Sequence, residues 1–223
     1  MEIQVEHLVL VTILLFPIAF QLLAARNGAL YFGLTPLLGG LITLLATLGV
    51  FLRGEPIQIS TALATGFAPL DALAPAFQLD VLSGILATTV SIIGLIVLRY
   101  SVRYLEDDSK RQAFLWNLTL VLTSVLLMLL SRNLGLLILF WAGASFVLHS
   151  LLLHFSERAN AQRAAEQKFW ISRLGDLFLI SGSILLFSIF QTLDIPEIIQ
   201  VTTNNPQAVT GMFVFQAGIC RLT

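Results

Sequence analysis

Six long apolar stretches alternate along the chain with shorter polar segments, at residues 8–25, 29–52, 81–98, 114–130, 134–155 and 169–190. Most approach the ~20 residues that carry a helix across a hydrocarbon core. The pattern predicts an all-α fold, a polytopic transmembrane helix bundle of about six helices with a partial seventh at the C-terminal end, forming a single membrane domain over 1–223. The first stretch follows an acidic start, Glu2 and Glu6, with no basic flank and no small-residue cleavage site. It is therefore read as a retained helix and not as a signal peptide.

Between the second and third stretches the connection is longer. Gly54, Pro56, Gly66, Pro69 and Pro75 break any continuous helix there. Ile57, Ile59 and Thr61 alternate with other residues, which predicts a short extended piece capping the outer face. The second stretch carries Pro36 and Gly39-Gly40 and is expected to kink, leaving backbone groups for neighbouring helices to satisfy.

Composition narrows the class. Hydrophobic residues make up 57% of the chain and charged residues 11%, against about 25% charged in an ordinary soluble domain, which leaves too little polar mass for a water-facing enzyme domain. A net charge of -1 without a basic patch argues against nucleic acid. Cys220 is the lone cysteine and has no partner for an intramolecular disulfide. Metal-spaced Cys/His clusters, Gly-rich phosphate loops, nucleophile elbows and paired carboxylates are all missing from the sequence. No catalytic residue, cofactor site or metal site is expected in this chain.

The 12 Lys and Arg residues are unevenly placed. Arg26, then Arg99, Arg103, Lys110 and Arg111, then Arg158, Arg163 and Lys168 fall in one set of alternate connections, and only Arg53 and Arg132 in the other. Basic connections are retained on the cytoplasmic side. In a bacterial inner membrane this places the N-terminus outside and the segments 99–111 and 156–167 in the cytoplasm. The opposite connections carry Glu55, Asp71, Asp194 and Glu197.

Ionisable residues at membrane depth are costly and usually face a bundle interior or water. Arg173 and Asp176 are three apart and so share a helix face, with Lys168 five residues earlier and nearer the cytoplasmic mouth. They are either a charged relay beside an ion path or a structural ion pair that pins a helix start. His149, in mid-helix by the apolar pattern, is either a proton relay or a neutral histidine hydrogen-bonded between helices. It follows Ala142 by seven residues and returns to nearly the same face. His154 is expected to be interfacial. Asn117, Thr119, Thr123 and Ser124, with Gly143, Ala144 and Ser145, read as close-packing and hydrogen-bonding surface that also has groups to hold water. The run Glu106, Asp107, Asp108, Lys110, Arg111 reads as a solvated loop, with Asp108 or Ser109 capping the next helix.

From Tyr100 to about Phe187 the chain resembles the antiporter-like subunits of respiratory NADH:quinone oxidoreductase and of Mrp-type sodium/proton antiporters. The residues concerned are Tyr100-Ser101, Tyr104, Asp107, Leu130-Ser131-Arg132-Asn133, Trp141, Lys168-Phe169 and Arg173-Leu174-Gly175-Asp176. That resemblance implies a proton path with a glutamate directly after the tryptophan, a position held here by Ala142. The run Trp141-Ala142-Gly143-Ala144-Ser145, then Leu148-His149, Glu157-Arg158, Ala164-Ala165, Lys168-Phe169 and Ser172 to Asp176 is similar to the DabB family, membrane subunits of energy-coupled inorganic carbon pumps.

This likeness implies a DabA partner, a zinc protein resembling a β-carbonic anhydrase, which would carry the zinc chemistry. The chain itself would supply the membrane anchor and the proton or sodium route, with His149, Lys168, Arg173 and Asp176 as candidate ion-path residues. Family members are more than twice as long, and the helix beginning near Gly211 carries a lysine needed for ion movement in them. An incomplete chain is the expectation. Three functions remain open on sequence: a carbon-pump subunit, a proton-moving subunit of a redox complex, and a structural fragment without transport.

Overall fold

The computed structural model describes residues 29–60, 75–108, 110–153 and 159–204. The predicted helix 8–25, the C-terminal partial helix, His154, Ser109 and Thr61 lie outside them. Helix α1 (Ala29–Arg53) leads to strand β1 (Ile57–Ser60), which pairs antiparallel with strand β2 (Ala76–Leu79). Helices α2 (Val81–Tyr104), α3 (Arg111–Leu130), α4 (Leu134–Leu152), α5 (Ala159–Phe190) and the short α6 (Ile195–Asn204) follow. Consecutive long helices pack against each other from α1 to α5. By length and apolar composition α2, α3, α4 and the part Ala165–Phe190 of α5 can each cross a membrane, and the chain is a multi-pass membrane protein.

The hairpin fulfils the expectation at Ile57 and Ile59, which pair with Leu79 and Phe77. Alternation turns one side of it inward. Leu79 is fully buried with Ala46, Val50 and Leu130, and Ile42, Ile57, Ile59 and Phe77 close around them. Asp80 then caps α2: its Oδ1 accepts from the Ser83 amide at 2.6 Å, and the Ser83 hydroxyl accepts from the Asp80 amide at 2.9 Å. Reciprocal capping of this kind satisfies two of the amides a helix start leaves open.

Pro36 and Gly39-Gly40, expected to bend α1, do not end it. Gly40 instead admits α2, since a Cβ there would meet the Ser91 Cβ at 3.1 Å. The approach is closer at Gly84, where a Cβ would come within 2.2 Å of the Thr47 Oγ1. Thr43, Thr47, Thr88 and Ser91 are buried along this seam. Each hydroxyl donates to a carbonyl of its own helix three or four residues back, at 2.6–2.9 Å. Small residues let backbones approach, and inward-bonded hydroxyls leave nothing polar open to lipid.

Three boundaries differ from expectation. Helix α2 continues to Tyr104, so Arg99 and Arg103 are helical and not in a loop. Helix α5 begins at Ala159, ten residues before the apolar stretch, so most of the expected loop 156–167 is helix. Its opening run is rich in Ala, Gln, Arg and Glu, which favour a helix whatever their hydropathy. The N-cap of α3 is Lys110, with no side-chain capping bond; Asp108 accepts from the Lys110 amide at 2.8 Å and shapes the turn one step earlier.

Helix α6 was not expected. Pro196 in its first turn suits a helix start, and Glu197 there complements the dipole. Its entrance is held by a plate of backbone bonds at one end of the bundle. The Arg132 amide donates to Ala76 O at 2.9 Å, the Ile195 amide to Arg132 O at 3.1 Å, and the Leu134 amide to Leu193 O at 2.9 Å. Arg132 also grips Asp194 through two contacts, Nε to Oδ1 at 2.9 Å and a second guanidinium nitrogen to Oδ2 at 2.8 Å, while donating to Gln58 of the hairpin.

Candidate functional site

Of the sequence-predicted residues, His149 and Lys168 make contacts between α4 and α5, while Arg173 and Asp176 contact each other and Phe169 within α5. On α4 the face is Ala142, Ser145 and His149, spaced three and four apart. On α5 it is Lys168, Phe169, Arg173 and Asp176.

Lys168 crosses the seam. Its Nζ donates to the Ser145 carbonyl at 2.7 Å and to the Ser145 hydroxyl at 3.0 Å. Ser145, read as close-packing and hydrogen-bonding surface, does hydrogen-bond across the seam; its place one turn from Ala142 marks it as part of the site face. Asn117 does act between helices, donating from Nδ2 to the Ser150 hydroxyl at 3.2 Å. Thr119 and Thr123 bond back within α3.

His149 is not in mid-helix. Helix α4 ends at Leu152, so the imidazole lies in its last turn, near the mouth. The ring packs on Phe169 with centroids 4.9 Å apart and planes 45° apart. Its Nδ1 is buried with no hydrogen-bond partner among the described residues.

Arg173 and Asp176 pair as their spacing predicts, at 3.0 Å. Asp176 is 5% exposed, and the Arg173 side chain is a third exposed. Charge contact is made without hydrogen-bond alignment: among the described residues both Asp176 oxygens and the Arg173 Nε and contacting nitrogen have no aligned hydrogen bond. The Arg173 guanidinium lies instead over the Phe169 ring, 5.3 Å from its centroid. Asp176 and His149 are not hydrogen-bonded to each other.

Depth along α5 orders these groups. Lys168 stands three residues into the apolar span that starts at Ala165, and Asp176 eleven residues in, about 16 Å along the axis. From the start of this span inward along α5 run Lys168, with His149 of α4 packed on Phe169 beside it, then Arg173, then Asp176. Buried polar atoms without partners are costly unless water or an ion completes them.

Two family models match the chain. Residues 131–220 fit the one described as NADH:quinone oxidoreductase/Mrp antiporter, TM, and residues 72–115 fit the one described as NADH-Ubiquinone oxidoreductase (complex I), chain 5 N-terminus. The probable inorganic carbon transporter subunit DabB1 of Halothiobacillus neapolitanus is 30% identical over 195 residues, 87% of this chain and 34% of that one. NADH-quinone oxidoreductase subunit L of Mycobacterium tuberculosis is 34% identical over 116 residues, 52% of this chain and 18% of that one. The chain spans about a third or less of the length of these relatives. A chain of the membrane-bound sulfane sulfur reductase, an archaeal respiratory membrane complex, shares the fold with a TM-score of 0.74 at 15% identity, over 89% of this chain and 41% of that one. The chain therefore belongs to the antiporter-like membrane subunits of NADH:quinone oxidoreductases and Mrp antiporters, and fits the DabB members among them.

Proposed function

We propose that the chain is the membrane part of an energy-coupled inorganic carbon pump, a transport subunit and not an enzyme. The observation that carries this reading is the match to DabB1 along most of the chain, where the match to subunit L covers about half. In this reading the α4–α5 seam is the route of a proton or sodium ion. His149 and Lys168 receive the ion at the cytoplasmic mouth, and Arg173 and Asp176 carry it toward mid-membrane. A DabA-like zinc protein, anchored on the cytoplasmic side, performs the carbon chemistry, so no cofactor is held by this chain. The membrane is a bacterial inner membrane, with 99–111 and 156–167 facing the cytoplasm on account of their positive charge.

The test is co-expression of the full-length subunit containing this chain with a DabA-like partner in cells lacking carbonic anhydrase. Bicarbonate accumulation that collapses with an uncoupler supports the proton route, and collapse on sodium removal supports sodium. Absence of accumulation with an intact co-purified pair overturns the reading. His149→Gln keeps a hydrogen-bonding side chain but cannot titrate. It is expected to abolish gradient-dependent uptake while leaving partner binding intact. For orientation, a cysteine replacing Ser109 or Asn160 is expected to resist an impermeant reagent added outside intact cells.

A second reading has its own support, since both matching family models are described by NADH oxidoreductase subunits. It makes the chain a proton-translocating subunit of such a complex. Co-purification with quinone-reducing subunits, without any carbonic-anhydrase-like protein, favours it.

A further inference from the structure

Phe169 is the point where the two halves of the α4–α5 site touch. Its ring packs on the His149 imidazole from α4 at 4.9 Å, and the Arg173 guanidinium lies over it at 5.3 Å, one turn further along α5. Trp170 stands edge-on to it at 6.0 Å but points outward, 72% exposed. Among the described residues the His149 Nδ1 has no hydrogen-bond partner, and Arg173 meets Asp176 at 3.0 Å without an aligned bond.

We propose that Phe169 is a positioning residue that links the charge on His149 to the Arg173–Asp176 pair. An aromatic face carries partial negative charge and attracts cations, more strongly where water is excluded. While His149 is neutral the face holds Arg173, at the expense of its alignment with Asp176. When His149 takes a proton, the imidazolium competes for the same ring and repels the guanidinium. Arg173 then turns fully onto Asp176. One proton arriving at the mouth is thereby read about two turns deeper, without a hydrogen bond between the two sites. The proton added to His149 Nδ1 comes from the aqueous mouth and leaves by the same atom, so the step is a plain protonation. The charged groups on the helices packed against α4 are Arg163, Glu166, Lys168, Arg173 and Asp176 on α5 and Arg111 on α3. Of these Arg173 shares the Phe169 ring with His149.

This proposal rests on the ion-path reading of the seam, and the experiment separates the two. In the assembled pump, gradient-driven bicarbonate uptake is measured across pH for His149→Gln, Phe169→Leu and Phe169→Tyr, with partner co-purification as the check on folding. Phe169→Leu keeps apolar bulk and removes the aromatic face. It is expected to cut uptake about tenfold and to change the pH profile of what remains. Phe169→Tyr is expected to restore both. Loss of uptake in His149→Gln with an unshifted, wild-type profile in Phe169→Leu overturns the coupling and leaves the path standing. Full uptake in His149→Gln overturns the path itself. Failure of Phe169→Tyr to restore a profile shifted in Phe169→Leu shows that shape, not the aromatic face, is responsible, and overturns the proposal.

Discussion

The α1–α2 seam and the α4–α5 seam solve the same problem, holding two helices together in lipid, in opposite ways. The first is closed: glycines bring the backbones together, every named hydroxyl bonds within its own helix, and a third of the α2 span is buried. The second is loose and polar. Ile138 is buried in α4 and Ala165 and Asp176 in α5, yet a lysine crosses the gap and, among the described residues, a buried carboxylate lacks aligned partners. Tight packing of small residues stabilises the first seam, and polar atoms buried without aligned partners cost stability at the second.

Substitutions can break this contrast. The largest effect is expected at Gly84, where Leu would overlap the Thr47 side chain. Gly84→Leu should destabilise the solubilised subunit by about 3 kcal/mol or more, or prevent its accumulation. Gly84→Ala should be milder and partly rescued by Thr47→Ala, which removes the two nearest atoms. A melting temperature unchanged by Gly84→Leu would show that the seam is not closed. Next comes Asp176→Asn, which strands Arg173. A loss of about 2 kcal/mol is expected, below the range for fully buried pairs because the arginine is a third exposed. The double variant with Arg173→Gln should lose less than the sum of the two, and simple additivity would mean the pair is not coupled.

Arg132→Ala removes a two-contact ion pair whose side chains are 21% and 27% exposed, and should cost about 1 kcal/mol by thermal melting. The smallest effect is expected at Gly143 on α4. A Cβ there meets nothing within 4 Å, so Gly143→Ala should be neutral or stabilise by under about 1 kcal/mol. Equal damage at Gly84 and Gly143 would erase the distinction between the seams.

What the sequence disclosed follows the range of each interaction. Hydropathy located the four described spans because partition into lipid is summed residue by residue. The Arg173–Asp176 pair was legible because three-residue spacing is a local property of the helix. The backward extension of α5 to Ala159 was missed because polar residues that leave the membrane can remain helical. The apolar run to residue 155 outlasts α4, which set His149 in mid-helix, when α4 ends three residues after it. Lys168 with Ser145, 23 residues apart, and Arg132 with Asp194, 62 residues apart, depend on how helices are brought side by side, which no local pattern encodes. The DabB likeness singled out Lys168 but gave no partner for it.

The plate at the hairpin end restricts how the bundle can move. Segment 131–133 is stitched by its backbone to β2 on one side and to 193–195 on the other, so the start of α4 and the chain leaving α5 share a fixed height. Axial sliding of α5 past α4 by a helical turn, about 5.4 Å, would have to tear those bonds together with the Arg132–Asp194 clasp. Tilting about the plate would not. The low-cost motion of the pair is therefore a pivot, with its fulcrum at Arg132 and its greatest travel at the far end, where Lys168 and His149 sit.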